Sequence, residues 1–166
     1  MFDLDEILRQ LTGTAEAIRA LTQSVPAAQA RWKPDPQTWS VQETMAHLYT
    51  EERLDFRKHL KEMLSDPPQP WRRFDSAELV AVDSLQQALE GFLAEREASL
   101  AWLKTLESSD WNIALEAPWG SPICAGDVLV SWAANDYLHL RQINELLFAW
   151  NAYQAAPYSV DYAGDW

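Results

Sequence analysis

Apolar residues recur at steps of three and four along four stretches of the chain, and proline-rich or glycine-containing segments separate them. Between residues 3 and 25, Leu4, Ile7, Leu8, Leu11, Ala15, Ile18, Leu21 and Val25 mark one face of a helix, with no proline to interrupt it. Pro26 ends that run, and Pro34 and Pro36 make the stretch up to Trp39 a connection. Ser40-Val41-Gln42-Glu43 is a capping box: the serine hydroxyl takes an orphan amide while the glutamate reaches back to the cap. It predicts a second helix over 40–65, with Val41, Met45, Leu48, Phe56, Leu60 and Met63 along one face. Asp66-Pro67-Pro68-Gln69-Pro70 closes that helix, and residues 66–82, too long for a tight antiparallel turn, read as a crossover. A third helix is expected over 83–107, carrying Leu85, Leu89, Phe92, Leu100 and Leu103. Residues 108–123 then read as a loop, with a turn at Trp119-Gly120-Ser121-Pro122. The fourth helix is expected over 124–150, with Asp127 in its first turn. Residues 152–166 read as an aromatic tail folded back on the body, because Tyr158, Tyr162 and Trp166 are costly to leave in water.

These elements predict an all-α fold: one domain over 1–166, a four-helix bundle with a long crossover between helices two and three and no sheet of consequence. Charge narrows the partners. Twenty-five acids against 13 bases leave a formal net charge of −12, which repels phosphate backbones and anionic lipid. The basic pairs Arg57-Lys58 and Arg72-Arg73 are too short to reverse that, so neither nucleic acid nor a membrane surface is expected as a partner. No run approaches the roughly 20 apolar residues of a membrane span. The start Met1-Phe2-Asp3-Leu4-Asp5-Glu6 lacks the basic residues of a signal peptide, so a cytoplasmic location is expected. Cys124, the single cysteine, excludes an internal disulfide and a cysteine-rich metal knuckle. Nine tryptophans are mostly core anchors, with enough left over to line a cleft.

Helix four carries polar residues on the wrong face. Val128, Trp132, Ile143, Leu146 and Trp150 share one arc, and Asn135 and His139, four apart, fall inside it. Asp136 lies near the edge, while Arg141, Asn144 and Glu145 fall outside. Inward polar groups need partners. On helix two, His47 lies beside the apolar stripe, with Thr44 and Glu51 about one turn to either side. If the two helices face each other, His47 meets His139, and imidazoles from two helices are a common way to hold a metal inside a bundle. His59 reads as structural or exposed, and Glu43 is already explained by the capping box. Arg96 falls in the stripe of helix three. It either snorkels past the core or holds a carboxylate such as Glu51 or Asp136, or a substrate anion. Cys124 stands at a helix start, where a thiol pKa can fall, but with no histidine nearby in sequence it reads as an N-cap substitute.

The segment Trp39-Ser40-Val41-Gln42-Glu43-Thr44-Met45-Ala46-His47-Leu48 resembles the helix-two signature of the DinB-like (YfiT-like) bundle superfamily. Ser131-Trp132-Ala133-Ala134-Asn135-Asp136-Tyr137-Leu138-His139-Leu140-Arg141-Gln142-Ile143 resembles its helix-four signature, and the Pro122-Ile123 lead-in and the Tyr158 to Trp166 tail are similar as well. The resemblance implies a homodimeric bundle holding a divalent metal, zinc or nickel, on three histidines: one from helix two and a His-x-x-x-His pair from helix four. His47 takes the first position and His139 the last, while Asn135 stands where the remaining histidine is expected. An amide oxygen is a weaker ligand than imidazole. The set His47, Asn135 and His139 is therefore expected to meet in one pocket that holds metal weakly or stays vacant, with Asn135 as weak ligand or orienting group.

Glu51 and Asp136 are the candidate bases, Asp136 being also a candidate third ligand, and Arg96 and Trp132 are expected to line the substrate pocket. The resemblance further implies a small-molecule substrate, with either hydrolysis or a transferase reaction that uses a low-molecular-weight thiol as cosubstrate. The alternative is a metal-free, non-catalytic dimer that binds a small molecule or a partner.

Overall fold

Helix α1 (Leu4–Thr22) starts where the Asp3 carboxylate accepts the backbone N–H groups of Asp5 and Glu6, and its apolar face runs through Ile7, Leu8, Leu11, Ala15 and Ile18. The computed structural model describes residues 3–71 and 80–164. The connection after α1 contains a five-residue helix, α2 (Ala27–Arg31), where the prolines alone predicted irregular chain. The capping box forms as expected, with Glu43 N–H donating to Ser40 Oγ at 3.2 Å and Ser40 N–H to Glu43 Oε2 at 2.8 Å. It opens α3 (Val41–Leu54).

The second predicted helix is not continuous. It breaks at Asp55 (φ −115, ψ −91) and resumes as α4 (Phe56–Met63). Packing explains the break: Val41, Met45 and Leu48 enter one apolar cluster, and Leu60 and Met63 enter another. Part of the expected crossover, residues 72–79 with Arg72-Arg73, lies outside the described residues; its flanks carry neither helix nor strand.

Helix α5 (Leu85–Leu103) is capped by Ser84, which accepts from Gln87 N–H at 3.1 Å, and it passes into a 3-10 turn over Lys104–Leu106. The expected loop at 108–123 contains a small hairpin, β1 (Ala114–Glu116) against β2 (Pro122–Cys124), with Leu115 opposite Ile123. Gly120 (φ 83) supplies the left-handed residue of its turn. Helix α6 (Ala125–Gln154) closes the four-helix bundle and runs four residues past its expected end. Its end rings Trp150 and Tyr153 pack on Trp32, with centroids 5.5 and 5.3 Å away. That covers the apolar wall before the tail begins, and Tyr158 and Tyr162 stay exposed instead of folding back; Trp166 lies outside the described residues.

Helix α3 packs along α5, and α1 along α6. The interior is divided in two. One cluster holds Ile18, Met45, Leu48, Phe92 and Ile143; the other holds Leu11, Leu60, Leu103, Leu129 and Trp132. Between them lies a polar layer to which each long helix sends one buried residue: Thr14, Glu52, Arg96 and Asp136. Among the described residues, no helix is long and apolar enough to cross a membrane.

Candidate metal centre

Beside the polar layer, α3 and α6 present four side chains to each other. Helical spacing puts His47 and Glu51 one turn apart on α3, and Asn135 and His139 one turn apart on α6. Glu51 stands at the middle. Its Oε1 lies 3.1 Å from His47 Nε2 and its Oε2 lies 3.5 Å from His139 Nε2, while Asn135 Nδ2 donates to Oε2 at 2.8 Å. The two imidazoles meet edge to face, with centroids 5.0 Å apart. Burial opposes a charge on Glu51, yet the hydrogen bonds from His139 and His47, and the latter's charge, bring its pKa down to about 2. Burial likewise works against a charged His139, but its bonds to Glu51 and Gln142 raise its pKa.

These groups fit a divalent cation. One nitrogen from each histidine and one oxygen of Glu51 lie within 4.8 Å of one another. Ligands about 2.1 Å from a tetrahedral ion stand roughly 3.4 Å apart, close to the 3.1 and 3.5 Å separations here. The His139 Nδ1 lies 2.9 Å from Gln142 Oε1; with an N–H donated there, the usual support for a metal-binding histidine, a cation would take the place of the Nε2 proton that faces Glu51. Asn135 turns its N–H₂ toward Glu51 and so acts on the carboxylate as an orienting group. A cavity of about 260 Å³, lined by Trp39, Glu43, Ala46, His47, Thr50 and Val80, adjoins the centre at His47.

The structure thus brings His47, Asn135 and His139 together, around Glu51. It does not bring Asp136, Arg96 or Trp132 to the centre. Asp136 follows Asn135, and the roughly 100° step between helical neighbours turns it into the core. There both of its oxygens bind Arg96 (2.6 and 2.9 Å) and Thr14 donates to it. Arg96 also donates to Glu52 and to the Leu11 carbonyl, each at 2.8 Å. Trp132 donates its indole N–H to Glu52 at 2.9 Å and stacks on Phe56. The expected substrate-lining and base roles of Arg96, Trp132 and Asp136 therefore have no support in the geometry, which uses these groups to satisfy one another. Of the alternatives for Arg96, the carboxylate partner is the one observed, with Asp136 and Glu52 as the carboxylates and not Glu51.

His59 is buried, with Nδ1 2.6 Å from Asp55 and its ring stacked on Trp71. Glu43 keeps its capping role and adds an ion pair to Lys33 at 2.7 Å. Arg57 is committed to Glu95, side chain and carbonyl. Cys124 does cap α6, but its thiol bonds Asp127 at 2.9 Å, and that bond, with burial, pushes its pKa up and away from the thiolate of a nucleophile. Glu52 and Gln142 were missed by sequence reasoning. Glu52 follows Leu48 by four and Met45 by seven, a core register that signals an inward residue.

The sequence profile of the DinB superfamily matches residues 10–143. The chain belongs to the DinB superfamily. Among solved structures, this DinB superfamily chain is similar to YfiT from Bacillus subtilis, described as a probable metal-dependent hydrolase with an unusual four-helix bundle topology. The two agree with a TM-score of 0.75 at 14% identity over 89% of this chain and 87% of that one, a likeness of fold. No curated protein matches the sequence.

Proposed function

We propose that this DinB superfamily chain is a metal-dependent enzyme acting on a small molecule, with zinc or nickel held by His47, Glu51 and His139. The observation that carries this reading is the convergence of those three donors from two helices, within 4.8 Å of one another. A bound cation would act as a Lewis acid and lower the pKa of water, for hydrolysis, or of a low-molecular-weight thiol, for transfer. The chain's own residues prepare the site. Glu51 is ionised throughout the neutral range and balances part of the cation's charge. Asn135 holds one Glu51 oxygen in place, and Gln142 fixes the ring of His139. The cavity beside His47 offers Trp39, Ala46 and Val80 as apolar walls. Its polar groups are already engaged, Glu43 by Lys33 and Ser40 and Thr50 by the Ala46 carbonyl and the Val80 N–H. It therefore suits the uncharged part of a small substrate.

The test is zinc and nickel binding by calorimetry, on protein produced without an affinity tag and stripped with chelator. One equivalent should bind, and Glu51→Gln should weaken it at least about tenfold. Binding that is equally strong in Glu51→Gln and His139→Ala would place the metal elsewhere, and no binding at all would leave a metal-free protein and refute the reading.

A further inference from the structure

Two adjacent pairs of residues join the centre to the core. In α3, Glu51 faces the His47–His139 centre and Glu52 the interior; in α6, Asn135 faces that centre and Asp136 the interior. The interior member of each pair is held by the same guanidinium. Arg96, 2% exposed, grips both oxygens of Asp136 at 2.6 and 2.9 Å and Oε2 of Glu52 at 2.8 Å, and the two carboxylates are each 1% exposed. Trp132 adds a direct tie from α6 to α3 through its indole N–H on Glu52.

We propose that Arg96 is a positioning residue for the metal centre: its fork sets the distance between α3 and α6 at the turns that carry Glu51 and Asn135, with Trp132 as second tie. The inference rests on reading His47, Glu51 and His139 as a metal site. The chemistry suits the task. A guanidinium is planar and presents donors in fixed directions, so it can span two carboxylates on different helices; a lysine ammonium is a point charge on a flexible stem and cannot hold both at defined positions. At this burial the contact is shielded from bulk solvent. The arrangement also forgoes hydrogen bonds that one optimised for satisfaction would make: among the described residues, Arg96 Nε and Glu52 Oε1 have no partner. The fork is aimed at the bridge between helices at their expense.

Cobalt(II), titrated into chelator-stripped protein and followed by its visible absorption, reports both affinity and ligand geometry. The set is wild type, Arg96→Lys, Arg96→Met, Trp132→Phe and Leu103→Ala. Wild type should bind one equivalent. Both Arg96 variants should bind at least about tenfold more weakly, in the range for removing a group that orients metal ligands, and with an altered spectrum. Trp132→Phe keeps the stack on Phe56 and loses only the tie; it should shift affinity and spectrum in the same direction by less.

Leu103→Ala truncates the core in the farther cluster, so it should lower the thermal midpoint while leaving cobalt affinity and spectrum at wild-type values. If Arg96→Met does not fold, Arg96→Lys and Trp132→Phe decide. Wild-type affinity and spectrum in those two would overturn the positioning role, as would an equal loss in Leu103→Ala, since affinity would then merely follow stability. A wild-type protein that binds no cobalt would overturn the metal reading and the positioning role with it.

Discussion

Asp136→Ala should be among the most damaging single substitutions in this protein. The carboxylate is 1% exposed, binds Arg96 through both oxygens and accepts from Thr14. Its loss leaves Glu52 to balance the guanidinium's charge, but Glu52 meets only one nitrogen, so the buried donors that Asp136 accepted from lose their partner. Breaking a buried pair by removing one partner costs about 3–5 kcal/mol, a large part of the roughly 5–15 kcal/mol that holds a domain folded. With a urea slope of about 2 kcal/mol per molar, a loss of about 4 kcal/mol moves the unfolding midpoint down by about 2 M. The exposed pair Arg9–Glu6, with side chains 71% and 42% accessible, is the contrast. Arg9→Ala should cost no more than about 0.5 kcal/mol, because solvent screens the pair.

Replacing the whole cluster with apolar residues, as Arg96→Met, Asp136→Leu and Glu52→Met together, should cost far less than Asp136→Ala alone, since the buried guanidinium that lost its partner is then gone as well. The assay is urea unfolding followed by far-ultraviolet circular dichroism. A loss under about 1 kcal/mol for Asp136→Ala would mean that the hydrogen bonds of this layer are not the buried, mutually satisfying set described here. A triple variant no better than the single one would refute the guanidinium's lost partner as the source of the cost.

Other outcomes follow from single contacts. Asn135→His adds a third imidazole one turn before His139, so it should raise zinc or nickel affinity at least about tenfold in calorimetry; no gain would mean that position 135 does not reach the ion. Cys124 has its thiol pKa raised first by Asp127 and then by burial, so Asp127→Asn should lower it and speed alkylation by iodoacetamide near pH 8, whereas an unchanged rate–pH profile would refute that cause. Exposed aromatic side chains at Trp39, Trp119, Tyr153, Tyr158 and Tyr162 give this chain surface suited to self-association. We propose a homodimer, for which light scattering at micromolar concentration should give twice the chain mass; a single-chain mass refutes it.

What was legible in the sequence was direction. The capping box fixed the start of α3 because cap chemistry is local, and the spacing of His47, Asn135 and His139 placed them on facing helix surfaces because a helical face repeats regularly. Breaks and partners were not legible. Nothing at Leu54-Asp55 signals an interruption, since neither residue is proline or glycine; the demand comes from two apolar clusters that α3 and α4 must enter separately. The three-residue strands of the hairpin are shorter than any period that alternation can reveal.

The adjacent acids are the deeper case. Glu51 stands out in the sequence as a neighbour of His47 one turn away, and Glu52 does not, although the core register of Met45 and Leu48 points to it. A wheel gives a direction to within tens of degrees, while hydrogen bonding needs tenths of an ångström, so it cannot say which of two neighbouring polar residues meets an arginine from a third helix. The pairs Glu51-Glu52 and Asn135-Asp136 nevertheless share one pattern: a polar doublet with one member buried and the other half-buried. A doublet spans about 100°, wide enough to put one member in the core and the other at the His47–His139 centre. The layer that separates the two apolar clusters and the centre around Glu51 are therefore built from the same turns of α3 and α6, so the geometry of one constrains the geometry of the other.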